Sequence, residues 1–123
     1  MTAARAALTA AAVLGFLGVT LGAFGAHALR ARVSEADLAI YHTGVEYLFY
    51  HALALLALAA IAPREGMPAR ATVLCWTLGS LIFTGTLCAL AVTGLRWLGA
   101  ITPIGGVLLA VGWICLLWGS LSP

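Results

Sequence analysis

The stretch from Ala6 to Leu29, AALTAAAVLGFLGVTLGAFGAHAL, runs for 24 residues without Asp, Glu or Arg. A helix needs about 20 predominantly apolar residues to cross the roughly 30 Å hydrocarbon core of a bilayer. Because no water is available there, the backbone N–H and C=O groups must be satisfied within the segment, as they are in a helix. The stretch therefore predicts a transmembrane helix.

Three further stretches of the same kind follow along the chain, at Tyr47–Pro63, Ala71–Leu95 and Trp97–Pro123. They predict an all-α integral membrane bundle of four transmembrane helices in a single domain, residues 1–123. The helices are expected at about residues 6–29, 34–62, 70–94 and 102–120.

The composition supports a membrane protein and excludes a nucleic-acid-binding one. Of the 123 residues 63% are apolar and 8% are charged, against roughly one quarter charged in a soluble domain. The six basic residues form no run that could follow a phosphate backbone. All six are arginine, and the chain has no Lys, Asn or Gln, a bias typical of a GC-rich bacterial genome. We therefore expect a multi-pass protein of the bacterial plasma membrane.

The first apolar stretch could instead be a secretory signal, because Arg5 precedes it and Ala26-His27-Ala28 resembles a small-x-small cleavage site. Signal cores usually span 7 to 15 residues. The run from Ala6 to Ala26 is longer, which favours a retained helix.

Local signals predict where the helices begin and end. Ser34 followed by Asp37 resembles a capping box, so the second helix should start at Ser34 in the aqueous interface. The run 63–68, PREGMP, predicts a turn between helices two and three. Thr102-Pro103 predicts a capping residue followed by proline at the first position of helix four.

Small residues recur at steps of three, four or seven along three of the helices and predict close-packed seams. Intramolecular packing is favoured over a dimer face, because four helices with short loops need such seams among themselves. The residues are Ala11, Gly15, Gly18, Gly22 and Gly25; Thr77, Ser80, Thr84, Cys88 and Ala91; and Gly105, Gly112 and Gly119. Three cysteines in apolar runs show no zinc or disulfide spacing and are interpreted as small buried residues.

The distribution of arginine gives almost no information on the orientation of the bundle in the membrane. Three arginines fall on each side of the four predicted spans, so the positive-inside count is tied. The N-terminal amine shifts the balance slightly towards both termini being cytoplasmic.

The second helix carries an unusual polar stripe in the run 41–51, YHTGVEYLFYH. At 100° per residue it forms two adjacent rows of polar side chains. The rows are His42, Glu46 and Tyr50, and Thr43, Tyr47 and His51.

Helix one ends on the same side of the membrane, so His27 could meet Glu46 and His51. An intramembrane ionisable group usually faces the bundle interior and a partner, which makes a pair between Glu46 and a histidine the natural expectation. The candidate cofactor-binding residues are His27, Glu46, Tyr47, Tyr50 and His51. Tyrosines at this depth are also typical of an interfacial aromatic belt.

Three functions remain open. The first is a non-enzymatic membrane protein, either a structural bundle or an accessory subunit of a larger complex or homo-oligomer. The second binds a haem, quinone or metal ion through His27 and His51, although two histidines and a carboxylate are too few ligands to name a metal. The third carries protons or ions through Glu46, His51 and His27. A lipid-modifying enzyme is disfavoured because Ser80, Thr84 and Cys88 have no base beside them in sequence.

Several strings resemble the YgdD-like family of small bacterial membrane proteins, domain of unknown function 423 or uncharacterised protein family 0382. They are LGAFGAH at 21–27, TGVEYLFYHALALL at 43–56, ITPIGG at 101–106 and the pair Gly112-Trp113. The resemblance covers nearly the whole chain in order and implies a small inner-membrane bundle without an assigned function. It implies no catalytic residue and leaves the cofactor unknown.

Overall fold

The computed structural model describes residues 1–61 and 63–123 and contains four long helices. We number them α1 (Ala3–Phe24), α2 (Glu35–Ala60), α3 (Met67–Thr93) and α4 (Thr102–Leu121). A π-helical turn, Gly25–Leu29, continues α1, and a 3₁₀ turn, Arg96–Ala100, precedes α4. All four helices are long and apolar enough to cross a membrane. The prediction of an all-α bundle with four transmembrane helices is confirmed.

The helices pack mainly with their neighbours in the chain: α1 against α2, α2 against α3, and α3 against α4. Helix α1 also touches α3. The core between them contains Leu14, Leu48, Leu55 and Trp76, each no more than 1% exposed. Helices α2 and α3 therefore form the centre of the bundle, and α1 and α4 flank it.

Glycines allow the closest approaches between helices, as the spacing of small residues predicted. A Cβ on Gly105 would lie 2.5 Å from the backbone nitrogen of Phe83, so α3 and α4 touch backbone to backbone there. A Cβ on Gly18 would meet the ring of Phe49 at 2.9 Å. Gly15, in contrast, has no neighbour within 4 Å of its Cβ position and does not belong to the seam.

The ends of the helices follow the predicted signals in one case and depart from them in others. Ser34 caps α2, accepting a hydrogen bond from the Asp37 backbone N–H at 3.1 Å, as expected. Thr102 was wrongly placed as the cap of α4. Its backbone is already helical, Ile101 occupies the cap position, and the Thr102 hydroxyl donates to the Leu98 carbonyl at 3.2 Å.

The expected turn at 63–68 ends earlier than predicted, because α3 already begins at Met67. Pro68 lies in the first turn of α3, where the backbone N–H groups have no partner within the helix, so the N–H that proline lacks is not needed. Helix α1 starts at Ala3, three residues before Ala6, since Thr2 accepts a hydrogen bond from the Arg5 N–H at 3.1 Å. The predicted end of helix two at residue 62 lies outside the described residues.

An ion pair holds the helices together at each end of the bundle. At one end the Arg96 guanidinium donates two hydrogen bonds to the Asp37 carboxylate, at 2.8 and 3.2 Å, and joins the 3₁₀ turn to α2. At the other end Glu65 accepts from the Ala3 backbone N–H at 2.8 Å and from Arg70 Nε at 2.8 Å. These contacts tie the turn before α4 to α2 and the turn before α3 to α1.

Candidate functional site

His51 is the one histidine buried among the described residues, with 5% of its surface exposed, and both of its ring nitrogens are hydrogen-bonded. Nε2 lies 3.1 Å from the indole Nε1 of Trp113 on α4, and Nδ1 lies 2.8 Å from the backbone carbonyl oxygen of Tyr47. An indole nitrogen only donates and a carbonyl oxygen only accepts. His51 is therefore neutral, with its proton on Nδ1 and its Nε2 lone pair directed at Trp113.

Aromatic rings surround this histidine on three helices. The ring centroids of Trp76 and Trp113 lie 5.9 and 6.0 Å from that of His51, each in an edge-on arrangement. The two indoles lie 4.5 Å apart, and Tyr47 stacks on the imidazole at 6.5 Å. We call His51, Trp76, Trp113 and Tyr47 the aromatic cluster. It joins α2, α3 and α4.

Gly112 makes this arrangement possible. A Cβ at that position would lie 2.4 Å from Cδ1 of Trp76 and 2.6 Å from its Nε1. The Trp76 indole therefore lies flush against the backbone of α4. Its Nε1 and the Ser80 hydroxyl are buried without a hydrogen-bond partner in residues 1–61 and 63–123. Trp76 contributes packing to the cluster, whereas Trp113 contributes a hydrogen bond as well.

The depth of the cluster follows from α4, whose 20 residues span about 30 Å, the thickness of the hydrocarbon core. At the start of α4, Thr102 hydrogen-bonds Thr86 of α3 at 2.7 Å. Two residues deeper on α3, Thr84 donates to the Gly44 carbonyl of α2 at 2.7 Å. At 1.5 Å per residue, His51 lies about 13 Å inside the membrane edge, close to the midplane.

The same register places Glu46 about 6 Å inside the membrane, but on the outer surface of the bundle. Its carboxylate makes no hydrogen bond or ion pair with the part of the chain that is described. Tyr47 and Tyr50 flank it with 41% and 56% of their surfaces exposed, and their ring centroids lie 5.7 Å apart. With His42 and Thr43, also exposed, these residues form what we call the outer polar face of α2.

The expected meeting of His27, Glu46 and His51 is wrong for this structure. His27 is exposed in the π-helical turn, beside the membrane edge, and Glu46 is exposed on α2, while His51 points inward. Glu46 and His51 are five residues apart, which separates them by about 140° around a helix. The two polar rows of α2 therefore do not divide between interior and surface. Thr43 and Tyr47 are exposed although they share a row with His51, and only His51 is buried.

Sequence reasoning missed Trp76 and Trp113 as partners of His51. In the sequence, Trp113 stands out only as part of the pair Gly112-Trp113. That pair is the available signal for a helix contact, because a glycine beside a large hydrogen-bond donor suits close helix packing. It also missed that Tyr41, 1% exposed, donates its hydroxyl to the Leu21 carbonyl at 2.5 Å, tying α2 to α1.

The chain matches a family model described as "Protein of unknown function (DUF423)" over residues 21–106. A UPF0382 membrane protein of Haemophilus influenzae is 43% identical over 113 residues, covering 92% of this chain and 91% of that protein. The chain belongs to the DUF423 family. The family match contains three of the four strings noted in the sequence; the pair Gly112-Trp113 lies beyond it.

Other relatives agree on the cellular location. UPF0382 membrane protein YwdK of Bacillus subtilis is 41% identical, and the alignment covers 86% of this chain and 88% of YwdK. UPF0382 inner membrane protein YgdD of Escherichia coli K12 is 38% identical over 95% of this chain and 90% of its own. No solved structure matches the chain. This DUF423 member is a multi-pass protein of the bacterial inner membrane, of a family with uncharacterised function.

Proposed function

We propose that this DUF423 protein is a non-enzymatic accessory subunit that binds a partner membrane protein through the outer polar face of α2. The carrying observation is Glu46, an exposed carboxylate about 6 Å inside the membrane edge. Ionisable side chains at membrane depth normally face a bundle interior or a water-filled cavity and have a partner. A second protein that covers Glu46 would supply that partner.

The chemistry of the outer polar face of α2 defines which side chains the partner must carry. Glu46, Tyr47 and Tyr50 together present a carboxylate and two phenols beside apolar ring surface. A transmembrane helix that carries a basic or hydrogen-bond-donating side chain at this depth would pair with the carboxylate and pack on the rings. Tyrosines are also enriched at protein interfaces because they combine apolar area with a hydroxyl.

The interior of the bundle supports a structural role for its polar groups. His51, Thr84 and Tyr41 each hydrogen-bond to another helix, at 3.1, 2.7 and 2.5 Å. Such contacts hold helices in register within a membrane. The buried polar side chains thus serve the assembly of the bundle, while the exposed ones remain available to a partner.

Haem, quinone or metal binding through His27 and His51 stays the alternative prediction. His51 could act as a ligand through Nε2 only after that atom released Trp113, because a lone pair that accepts an indole proton cannot also bind iron. Proton or ion transport through Glu46, His51 and His27 is likewise left as a prediction.

Site-specific cross-linking in native membranes tests the proposal. A photoreactive amino acid at position 50, on the outer polar face, should cross-link to one integral membrane protein with a donor or basic residue in the contacted helix. The same amino acid at position 16, where Phe16 is 70% exposed on α1, serves as the control and should not. The cross-link should disappear in Glu46→Leu and persist in Glu35→Gln, which alters an exposed carboxylate in the first turn of α2.

Three results would overturn the proposal. Cross-linking only to lipid would remove the partner, and cross-linking only to a second copy of the chain would replace the accessory subunit by a homo-oligomer. A protein purified in mild detergent with a Soret absorbance band that His51→Ala abolishes would instead establish the haem alternative.

A further inference from the structure

A groove of about 590 Å³ lies between the first halves of α1 and α3, on the side of the bundle away from α4. Its volume lies within the range of ligand sites, about 300–1,000 Å³. Small side chains on α1, such as Ala6 and Ala10, leave this space open against Val73 and Leu74 of α3.

The walls of the groove offer an apolar surface in their mid-membrane part. Its two mid-membrane hydroxyls already donate within their own helices, Thr9 to the Arg5 carbonyl at 3.0 Å and Thr77 to the Val73 carbonyl at 2.7 Å. The mid-membrane part of these walls therefore presents no unpaired hydroxyl donor to an occupant. An occupant of this part of the groove must be a hydrocarbon.

The length of the groove matches one leaflet of a bilayer. From Thr2 to Leu14 on α1 the wall rises about 18 Å, and from Arg70 to Leu81 on α3 it rises about 17 Å, at 1.5 Å per residue. Half of the hydrocarbon core is about 15 Å. One extended acyl chain from the adjacent leaflet would fill the groove as far as the midplane, and Leu81 of α3 closes it about 7 Å beyond that level by the register used for His51.

Arg70 lies at the mouth of the groove, with its Cα about 6 Å inside the membrane edge by the same register, and its long exposed side chain extends from there towards the lipid headgroups. Its Nε is held by Glu65 at 2.8 Å, while its two terminal amino groups make no hydrogen bond within residues 1–61 and 63–123. The same Glu65 carboxylate accepts the Ala3 N–H, so it is shared between Arg70 and the N-terminus of α1. Arg5 and Arg64 add positive charge at this end of the bundle.

We propose that this groove binds one anionic phospholipid, with an acyl chain between α1 and α3 and the headgroup phosphate on the guanidinium of Arg70. A guanidinium recognises phosphate oxygens by paired hydrogen bonds. Basic pockets between transmembrane helices bind anionic headgroups in the same manner. The site is separate from the outer polar face of α2 and does not depend on the proposed accessory function.

Native mass spectrometry of the full chain in mild detergent tests the site, with phosphatidylglycerol and phosphatidylcholine as matched probes. The wild type should retain phosphatidylglycerol with at least about fivefold preference, since one arginine at the membrane surface contributes roughly 1 kcal/mol. Arg70→Gln should lose that preference. Arg30→Gln, which removes an exposed arginine at the opposite end, should keep it.

Filling the groove supplies a second test that leaves every charge in place. Ala10→Leu places a larger side chain between the walls and should reduce retention of both lipids at least about threefold, a loss of roughly 0.6 kcal/mol. Ala12→Leu, at an exposed position of α1 outside the groove, should not. Thermal unfolding of each variant separates a lost site from a misfolded chain.

Equal retention of the two lipids by the wild type would overturn the proposal. So would a preference that survives Arg70→Gln, or one that Arg30→Gln removes instead. A dimer that Ala10→Leu disrupts, in place of a lipid-bound monomer, would assign the groove to a second copy of the chain.

Discussion

The indole N–H of Trp113 and Nε2 of His51 lie 3.1 Å apart, although the two residues are 62 positions apart in the chain. This bond is a direct polar link between α2 and α4, which otherwise both pack on α3. It lies near the membrane midplane, where no water can replace it. The link therefore fixes the position of α4 relative to the centre of the bundle.

Replacing Trp113 by Phe should destabilise the bundle, because the imidazole Nε2 then loses its donor while the ring contacts remain. We expect the free energy of unfolding to fall by about 1–2 kcal/mol, the upper range for interhelical hydrogen bonds in membranes. Unfolding in detergent, followed by circular dichroism, measures the change. In a double-mutant cycle His51→Leu should add little to Trp113→Phe. Strictly additive effects would show that the bond contributes nothing.

Gly112 should not tolerate a side chain. A Cβ there would lie 2.4 Å from Cδ1 of Trp76, so Gly112→Ala must push the indole or the whole of α4 outward. Overpacking of this kind costs about 1–3 kcal/mol, and we expect a corresponding drop in the midpoint of thermal unfolding. Gly85→Ala is the control, because nothing lies within 4 Å of its Cβ position in α3. It should be neutral or slightly stabilising, since alanine favours a helix by about 1 kcal/mol. Equal tolerance of both changes would contradict the α3–α4 contact.

The four helices could be predicted from sequence because membrane insertion depends on the length and hydropathy of each segment alone. The cap at Ser34 is equally local, since Ser34 and Asp37 are three residues apart. The rotation of α2 about its axis is not local. Its two polar rows are adjacent on the helical wheel, and the packing of α2 against its neighbours decides that His51 alone among their six residues is buried.

The candidate site was only partly predictable for that reason. His51 was recognised as an unusual polar residue at membrane depth, but its partner Trp113 lies on a helix 62 positions later. Glu46 was expected inside the bundle by the usual rule for ionisable groups. Its exposed position departs from that rule, and this departure is the observation behind the proposed partner surface.

The contact of Glu65 with Arg70 and with the N-terminus of α1 should make stability depend on pH. The N–H of Ala3 and the guanidinium of Arg70 lower the pKa of the Glu65 carboxyl below its ordinary value of 4.5. A group with a lowered pKa in the folded state stabilises fully above its unfolded pKa and loses that contribution as pH falls through the folded value. The midpoint of thermal unfolding should therefore fall as the pH is lowered from 6 to below about 4.

Glu65→Gln should lower the midpoint at pH 6 and reduce its dependence on acid, because the amide keeps a hydrogen-bond acceptor but has no charge to lose. Glu35→Gln, at the opposite end of the bundle, is the matched control and should leave the acid dependence at the Glu65 end in place. The assignment is wrong if Glu65→Gln and the wild type lose stability in parallel over this pH range.

Cys75 and Cys115 lie at facing positions of α3 and α4, in the antiparallel register that places Gly112 against Trp76. Cys88 lies 13 residues further along α3. We expect mild oxidation with copper phenanthroline to form an intramolecular disulfide between Cys75 and Cys115, with two electrons passing to copper(II) and two protons released to water. Mass spectrometry after alkylation should find Cys88 as the remaining free thiol. Cys75→Ala should abolish the cross-link and Cys88→Ala should not. A shift of one helical turn along the seam would move the thiols about 5 Å apart and prevent this cross-link. Its absence, or a cross-link that involves Cys88 instead, would contradict the register that brings Gly112 to Trp76 and Trp113 to His51.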